Sequence, residues 1–184
     1  MMRAFLALPL PDAAVVTLER LQQEIPVGRL VPGENLHLTL VFLGDRSVAA
    51  LEDLHFALEA LRVPAFDLRL AGLDCFDRTD PEALHIGVAP CPALEALQAR
   101  LRATLHGAGV TLDRARFRPH VTLARFNRGL APEQAARMGR FLAARGDFAV
   151  PAFTVRAFCL YESILTKDGP VYEVMAEYPL HLPY

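Results

Sequence analysis

The chain of 184 residues has no tryptophan, a single lysine, only three cysteines and no long apolar run. Its longest stretch without Asp, Glu, Lys or Arg is the 12 residues 83–94, whereas a transmembrane helix needs about 20 apolar residues. Pro9 and Pro11 interrupt the apolar start, which favours a buried first strand over a signal peptide. Scattered cysteines without a Cys-x-x-Cys pair indicate reduced thiols in a cytoplasmic protein.

The charges nearly balance, since 19 basic and 21 acidic residues give a net charge of −2. A protein that grips long nucleic acid needs a broad basic surface, because binding releases counterions from many phosphates. The composition therefore argues against that class but permits a small basic pocket. With 53% hydrophobic residues, the chain is predicted to form one globular domain over residues 1–184.

Strand and helix patterns are mixed along the chain. Alternation of apolar residues predicts strands at 3–8, 36–43, 66–76, 84–88, 121–125, 153–165 and 171–178. Helical spacing predicts four helices, opened by Asp12 and Ser47 as N-caps and by Pro92 and Pro132. The turn at 166–169 is typical of a hairpin. This order predicts an α+β fold with largely antiparallel sheets.

One short motif occurs twice, as His37-Leu38-Thr39-Leu40 and as His120-Val121-Thr122-Leu123. Side chains alternate faces along a strand, so the histidine and threonine of each motif share one face. The apolar residues between them face the core. A single His-x-Thr is a weak signal with a structural explanation, but two copies in corresponding strands favour a functional pair.

Two imidazoles and two hydroxyls suit general acid–base attack on a phosphodiester. A neutral histidine takes a proton from water, and a protonated histidine gives one to the departing oxygen. The hydroxyls donate hydrogen bonds to the phosphate oxygens. A metal site is the less favoured alternative, because neither motif contains His-x-His, His-Glu-x-x-His or a carboxylate.

Basic residues are concentrated around the second motif. Seven arginines and one acid lie between residues 100 and 128. Arg118 and Arg125 flank the motif and are candidates for phosphate contacts. Strict alternation would place Arg125 on the face opposite His120, unless a strand end or a β-bulge brings it back.

The chain resembles the 2H phosphoesterase superfamily, and within it the RNA 2′,3′-cyclic phosphodiesterases, historically called 2′-5′ RNA ligases. The two motifs with their flanks carry the resemblance, together with the segments 3–11, 31–44, 117–125, 160–163 and 169–173. It covers nearly the whole chain. It implies a bilobal fold with two pseudo-symmetric sheets, outer helices and a central cleft.

The resemblance also implies hydrolysis of RNA-terminal 2′,3′-cyclic phosphate to a 2′-phosphomonoester without metal or cofactor. By position, His37 becomes the proton donor and His120 the proton acceptor. Thr39, Thr122 and Arg125 become phosphate-binding residues. The expected partners are RNA 3′ ends or small cyclic nucleotides, and the expected state is a monomer.

Many members of the family carry a tryptophan where this chain has Leu30. Base stacking would therefore fall to another aromatic residue, for which Phe5 and Phe42 are candidates, although a core role is favoured for both. The other histidines receive no role. Three functions stay open: the cyclic phosphodiesterase, a ligase or phosphodiesterase for other small cyclic or 2′-5′-linked nucleotides, and a non-catalytic RNA-end-binding module.

Overall fold

The computed structural model describes residues 1–76, 81–112, 116–126, 130–167 and 169–181. Asp168 of the expected hairpin turn, and Arg114 and Arg128 of the basic segment, lie outside these ranges. The four helices of the described residues are α1 (Asp12–Gln22), α2 (Val48–Glu59), α3 (Pro92–Gly107) and α4 (Pro132–Arg145). Their strands are β1 (Met2–Pro9), β2 (Arg29–Leu30), β3 (His37–Arg46), β4 (Phe66–Leu68), β5 (Leu70–Cys75), β6 (Ala83–Val88), β7 (His120–Arg125), β8 (Phe153–Val155), β9 (Ala157–Thr166) and β10 (Gly169–Pro179).

The strands form one large antiparallel sheet and one small one. The large sheet runs β10-β9-β1-β3-β7-β6-β5, with β2 added beside β7, and the small sheet pairs β4 with β8. The two halves meet where Leu38 of β3 pairs with Val121 of β7. The α+β fold predicted from the pattern is confirmed, and the two motif strands are neighbours in a continuous sheet.

The predicted helices are present, with one change at a cap. Leu94, Leu97, Leu101 and Leu105 of α3 are buried in the main core, as their spacing predicted. Ser47 caps α2, since its hydroxyl accepts a hydrogen bond from the Ala50 N–H at 3.2 Å. The prediction that Asp12 caps α1 is wrong, because Pro11 holds the cap position and Asp12 is the first helical residue.

Two long strand predictions each divide into two strands. The predicted strand 66–76 breaks between β4 and β5, and the strand 153–165 breaks between β8 and β9. In both cases the first piece leaves the large sheet, so that Asp67 of β4 pairs with Thr154 of β8. Apolar alternation continues across both breaks, and only the choice of partner strand reveals them. None of the described helices is both long and apolar enough to span a membrane.

Candidate active site

The two motifs face each other across one cleft. Leu38, Leu40, Val121 and Leu123 are buried in the core behind it. His37, Thr39, His120 and Thr122 are half-buried and line a cavity of about 1020 Å³. The period-2 alternation of the strands therefore places the side chains as the sequence predicted.

Both imidazoles are held by the same kind of backbone contact. His37 Nδ1 lies 2.7 Å from the Asn35 carbonyl oxygen, and His120 Nδ1 lies 2.8 Å from that of Arg118. A carbonyl oxygen can only accept, so each Nδ1 carries the hydrogen. Each Nε2 is then left to accept a proton when neutral or to donate one when charged.

A β-bulge in each motif strand changes which face the next residues occupy. Opposite β6, the register shifts at Leu123, and Leu123 and Ala124 are buried in succession. The extra residue shifts the alternation of buried and exposed side chains by one position. Arg125 is therefore exposed on the same side as Thr122, and both line the cleft. The bulge therefore brings Arg125 to the face of His120, although strict alternation would place it on the opposite face.

The first motif has the corresponding irregularity. Leu40 and Val41 are buried in succession opposite β1, and the register shifts there. Phe42 consequently emerges into the cleft with 71% of its surface exposed. Phe42 follows His37 by five residues, as Arg125 follows His120, and both side chains enter the cleft after a bulge. The core role considered for Phe42 is therefore wrong.

Aromatic rings surround His37. The ring centroids of Phe5 and Tyr172 each lie 5.0 Å from its imidazole, and that of Tyr161 lies 6.2 Å away. Burial lowers the pKa of His37, the hydrogen bond to the Asn35 carbonyl opposes this shift, and the charge of Arg125 adds to the lowering. Phe5 lines the cleft, but it is only 4% exposed within this cluster, as the favoured core role predicts.

The surroundings of His120 include a third histidine. His85 of β6 lies 5.3 Å from His120 between ring centroids, and Phe76 lies 4.6 Å from it. Arg118 stands over the Phe76 ring at 4.4 Å, and it is not among the residues that line the cleft. Burial lowers the pKa of His120, partly opposed by the Arg118 carbonyl, and the charges of Arg125 and Arg118 lower it further.

His85 was given no role by the sequence, yet it lines the cleft. Its Nδ1 is buried without a hydrogen-bond partner among the described residues. Burial, followed by the neighbouring His120, lowers the pKa of His85 to about 4, so the ring is neutral near neutrality. No local signal distinguishes His85, because its contact with His120 arises from the pairing of β6 with β7.

Asn35 is a second residue that sequence reasoning missed. Its backbone carbonyl orients His37, and its side-chain amide donates a 2.9 Å hydrogen bond to the Pro170 carbonyl. Pro170 belongs to the β9–β10 hairpin, which also supplies Tyr172 to the surroundings of His37. Asn35 therefore fixes the position of His37 relative to the hairpin that carries Tyr172.

Asn35→Ala is expected to lower kcat/KM about fivefold, because one net hydrogen bond of about 1 kcal/mol no longer holds the hairpin against His37. The pH dependence of the rate should shift at the same time. Ser47→Ala is the matched control, since loss of this remote cap costs about 1 kcal/mol of stability without touching the cleft. An Asn35→Ala variant with wild-type rate and pH profile would contradict the positioning role.

The cleft is more basic than the chain as a whole. Arg3, Arg29 and Arg125 line it against one acidic residue, Glu82, whereas the chain has a net charge of −2. Such a cleft favours an anionic ligand. Within the described ranges, no three His, Cys, Asp or Glu side chains cluster closely enough to hold a metal ion.

The chain is similar to known members of one protein family. The model of the 2′-5′ RNA ligase superfamily matches residues 10–165. The RNA 2′,3′-cyclic phosphodiesterase of Aeropyrum pernix is 30% identical over 81% of this chain and 84% of its own length. That of Geobacillus stearothermophilus is 34% identical over 96% of this chain, which spans only 56% of that longer relative.

The solved structures agree with the sequence relatives. The protein TT0787 of Thermus thermophilus superposes with a TM-score of 0.78 at 28% identity, and the match covers 100% of both chains. The chain therefore belongs to the 2′-5′ RNA ligase superfamily of 2H phosphoesterases.

Proposed function

We propose that this enzyme hydrolyses 2′,3′-cyclic phosphate at RNA ends to a 2′-phosphomonoester, with His37 as general acid and His120 as general base. The observation that carries the proposal is the pair of Nδ1-anchored imidazoles in one basic cleft, each beside a threonine. Relatives that match most of this chain are named RNA 2′,3′-cyclic phosphodiesterases, which supports the substrate class.

The two imidazoles supply both proton transfers of the reaction. His120 Nε2 accepts a proton from water as the water oxygen bonds to phosphorus. The bond from phosphorus to the ribose 3′ oxygen breaks, and His37 Nε2–H protonates that oxygen. Thr39, Thr122 and Arg125 stabilise the charge that develops on the phosphate oxygens in the transition state. Stabilisation of this kind by fixed donors is usually the largest single contribution to the rate.

The surroundings of His120 suit its role as the base. Burial lowers the pKa of His120, and the charges of Arg125 and Arg118 add to this effect, which keeps the base neutral. Burial and the charge of Arg125 also lower the pKa of His37 in the free enzyme. The anionic phosphate raises that pKa when it binds, so His37 is charged in the complex, where its proton is needed.

The direct test uses a short RNA that ends in 2′,3′-cyclic phosphate, with its products mapped by mass and by enzymatic digestion. The expected product is the 2′-phosphomonoester. Formation of a 3′-phosphate would contradict the proposed leaving group, and absence of hydrolysis would contradict the proposed function.

Metal chelation is expected to leave the rate unchanged, because imidazoles supply both the base and the acid. The measurement compares initial rates before and after dialysis against EDTA. Loss of activity that an added divalent cation restores would show that a metal ion performs one of these steps.

A further inference from the structure

The floor of the cleft continues beyond the two motifs along β1. Arg3, Phe5 and Ala7 share one face of this strand, while Ala4, Leu6 and Leu8 are buried in the main core. Ala7 pairs with Thr39, Phe5 pairs with Phe42, and Arg3 pairs with Asp45. The exposed Arg3 lines the same cavity as both histidines.

The position of Arg3 separates it from the reacting phosphate. It lies four residues along β1 from Ala7, which corresponds to about 13 Å. The backbone at Arg3 is therefore well separated along the strand from a phosphate held between Thr39 and Thr122, and Arg3 is placed to meet a different phosphate. The exposed ring of Phe42 lies between the two positions and offers an apolar surface to the nucleoside that joins them.

The guanidinium of Arg3 has no counter-ion among the described residues. It forms no ion pair or hydrogen bond with any other described residue. Its cross-strand neighbour Asp45 lies outside the cleft lining and makes no ion pair with it in the described part of the chain. An arginine that lines a cleft without a counter-ion attracts an anion, and its planar donors match phosphate oxygens.

The size of the cleft gives independent support. Its volume of about 1020 Å³ lies at the upper end of the range for small-molecule sites, about 300–1,000 Å³. A single cyclic nucleotide at the histidines would leave the Arg3 end of this space unfilled.

We propose that Arg3 binds a backbone phosphate upstream of the terminal nucleotide, so that the preferred substrate is an oligonucleotide rather than a cyclic mononucleotide. The proposal rests on the function proposed above, since the cyclic phosphate must lie between the histidines. The site discriminates by length, because only a chain with a further phosphate reaches Arg3.

The test compares a trinucleotide ending in 2′,3′-cyclic phosphate with the corresponding cyclic mononucleotide that lacks a 5′ phosphate. Arg3→Gln is expected to lower kcat/KM for the trinucleotide about tenfold, because a charged hydrogen bond is lost. The mononucleotide should be hydrolysed at the wild-type rate. Asp45→Asn should raise the trinucleotide value about twofold, because it removes the negative charge of the residue that pairs with Arg3 on β3.

Two controls separate the contact from general effects of charge and stability. Arg20→Gln removes an exposed arginine of α1 that is outside the cleft, and it should change neither substrate. Arg3→Lys keeps the charge and should retain most of the salt dependence. For Arg3→Gln the logarithmic salt slope with the trinucleotide should fall by about 0.7, the value for one phosphate of a single strand.

Binding distinguishes failure of this proposal from failure of the proposed function. A trinucleotide that ends in 2′-phosphate should bind Arg3→Gln about tenfold more weakly than wild type, whether or not hydrolysis occurs. Equal effects of Arg3→Gln on both substrates, or no effect on binding of the trinucleotide, would overturn the proposal. Hydrolysis of neither substrate, with the binding difference intact, would contradict only the catalytic assignment.

Discussion

His37→Ala and His120→Ala are each expected to lose most of the single-turnover rate of cyclic phosphate hydrolysis. The first variant lacks the acid for the leaving oxygen, and the second lacks the base for water. Because the two groups act in one step, the double variant should be little slower than the slower single variant. The measurement is the single-turnover rate of all four proteins under identical conditions. Losses that multiply in the double variant would show that the histidines act independently.

The pH dependence of wild type follows from the same pair. The rate falls at low pH when His120 becomes protonated, and at high pH when His37 loses its proton. Burial lowers the pKa of both residues, so both limbs of kcat/KM should lie below the ordinary histidine value of about 6.5. The bound phosphate raises the pKa of His37, and the alkaline limb of kcat should therefore lie at higher pH. A flat profile with chemistry limiting would contradict the acid–base pair.

Thr39→Val and Thr122→Val are expected to lower the rate about a hundredfold each. Valine keeps the shape of threonine and removes one donor to the developing phosphate charge, an effect of about 2–4 kcal/mol. The thermal midpoint should stay close to that of wild type, since valine suits a strand.

A third threonine provides the control for these variants. Thr17 is on α1, where its hydroxyl donates a hydrogen bond to the Ala13 carbonyl far from the cleft. Thr17→Val removes a hydroxyl of the same kind and should keep the full rate. Near-wild-type rates in both cleft variants would mean that Thr39 and Thr122 have a structural role only.

Local rules were sufficient for most of the secondary structure. The leucine spacing of α3 and the Ser47 cap depend on residues three or four positions apart, and both were predicted. Strand breaks were missed because β4 and β8 pair with each other, and that pairing leaves no trace in the alternation of either segment. The predicted Asp12 cap was wrong by one residue, since Pro11 holds the N-cap position and α1 begins at Asp12.

The sequence by itself determined the two His-x-Thr motifs and the direction of their side chains. Alternation along a strand is a property of the backbone, so His37 and Thr39 could be assigned to one face without knowledge of any partner. Only the tertiary structure decided where Arg125 points, because the bulge before it arises from the pairing of β7 with β6. It likewise decided the contact of His85 with His120 and that of Asn35 with Pro170, a pair 135 positions apart. Contacts between distant segments depend on how the strands pair, and a periodicity of two residues contains no information about the partner.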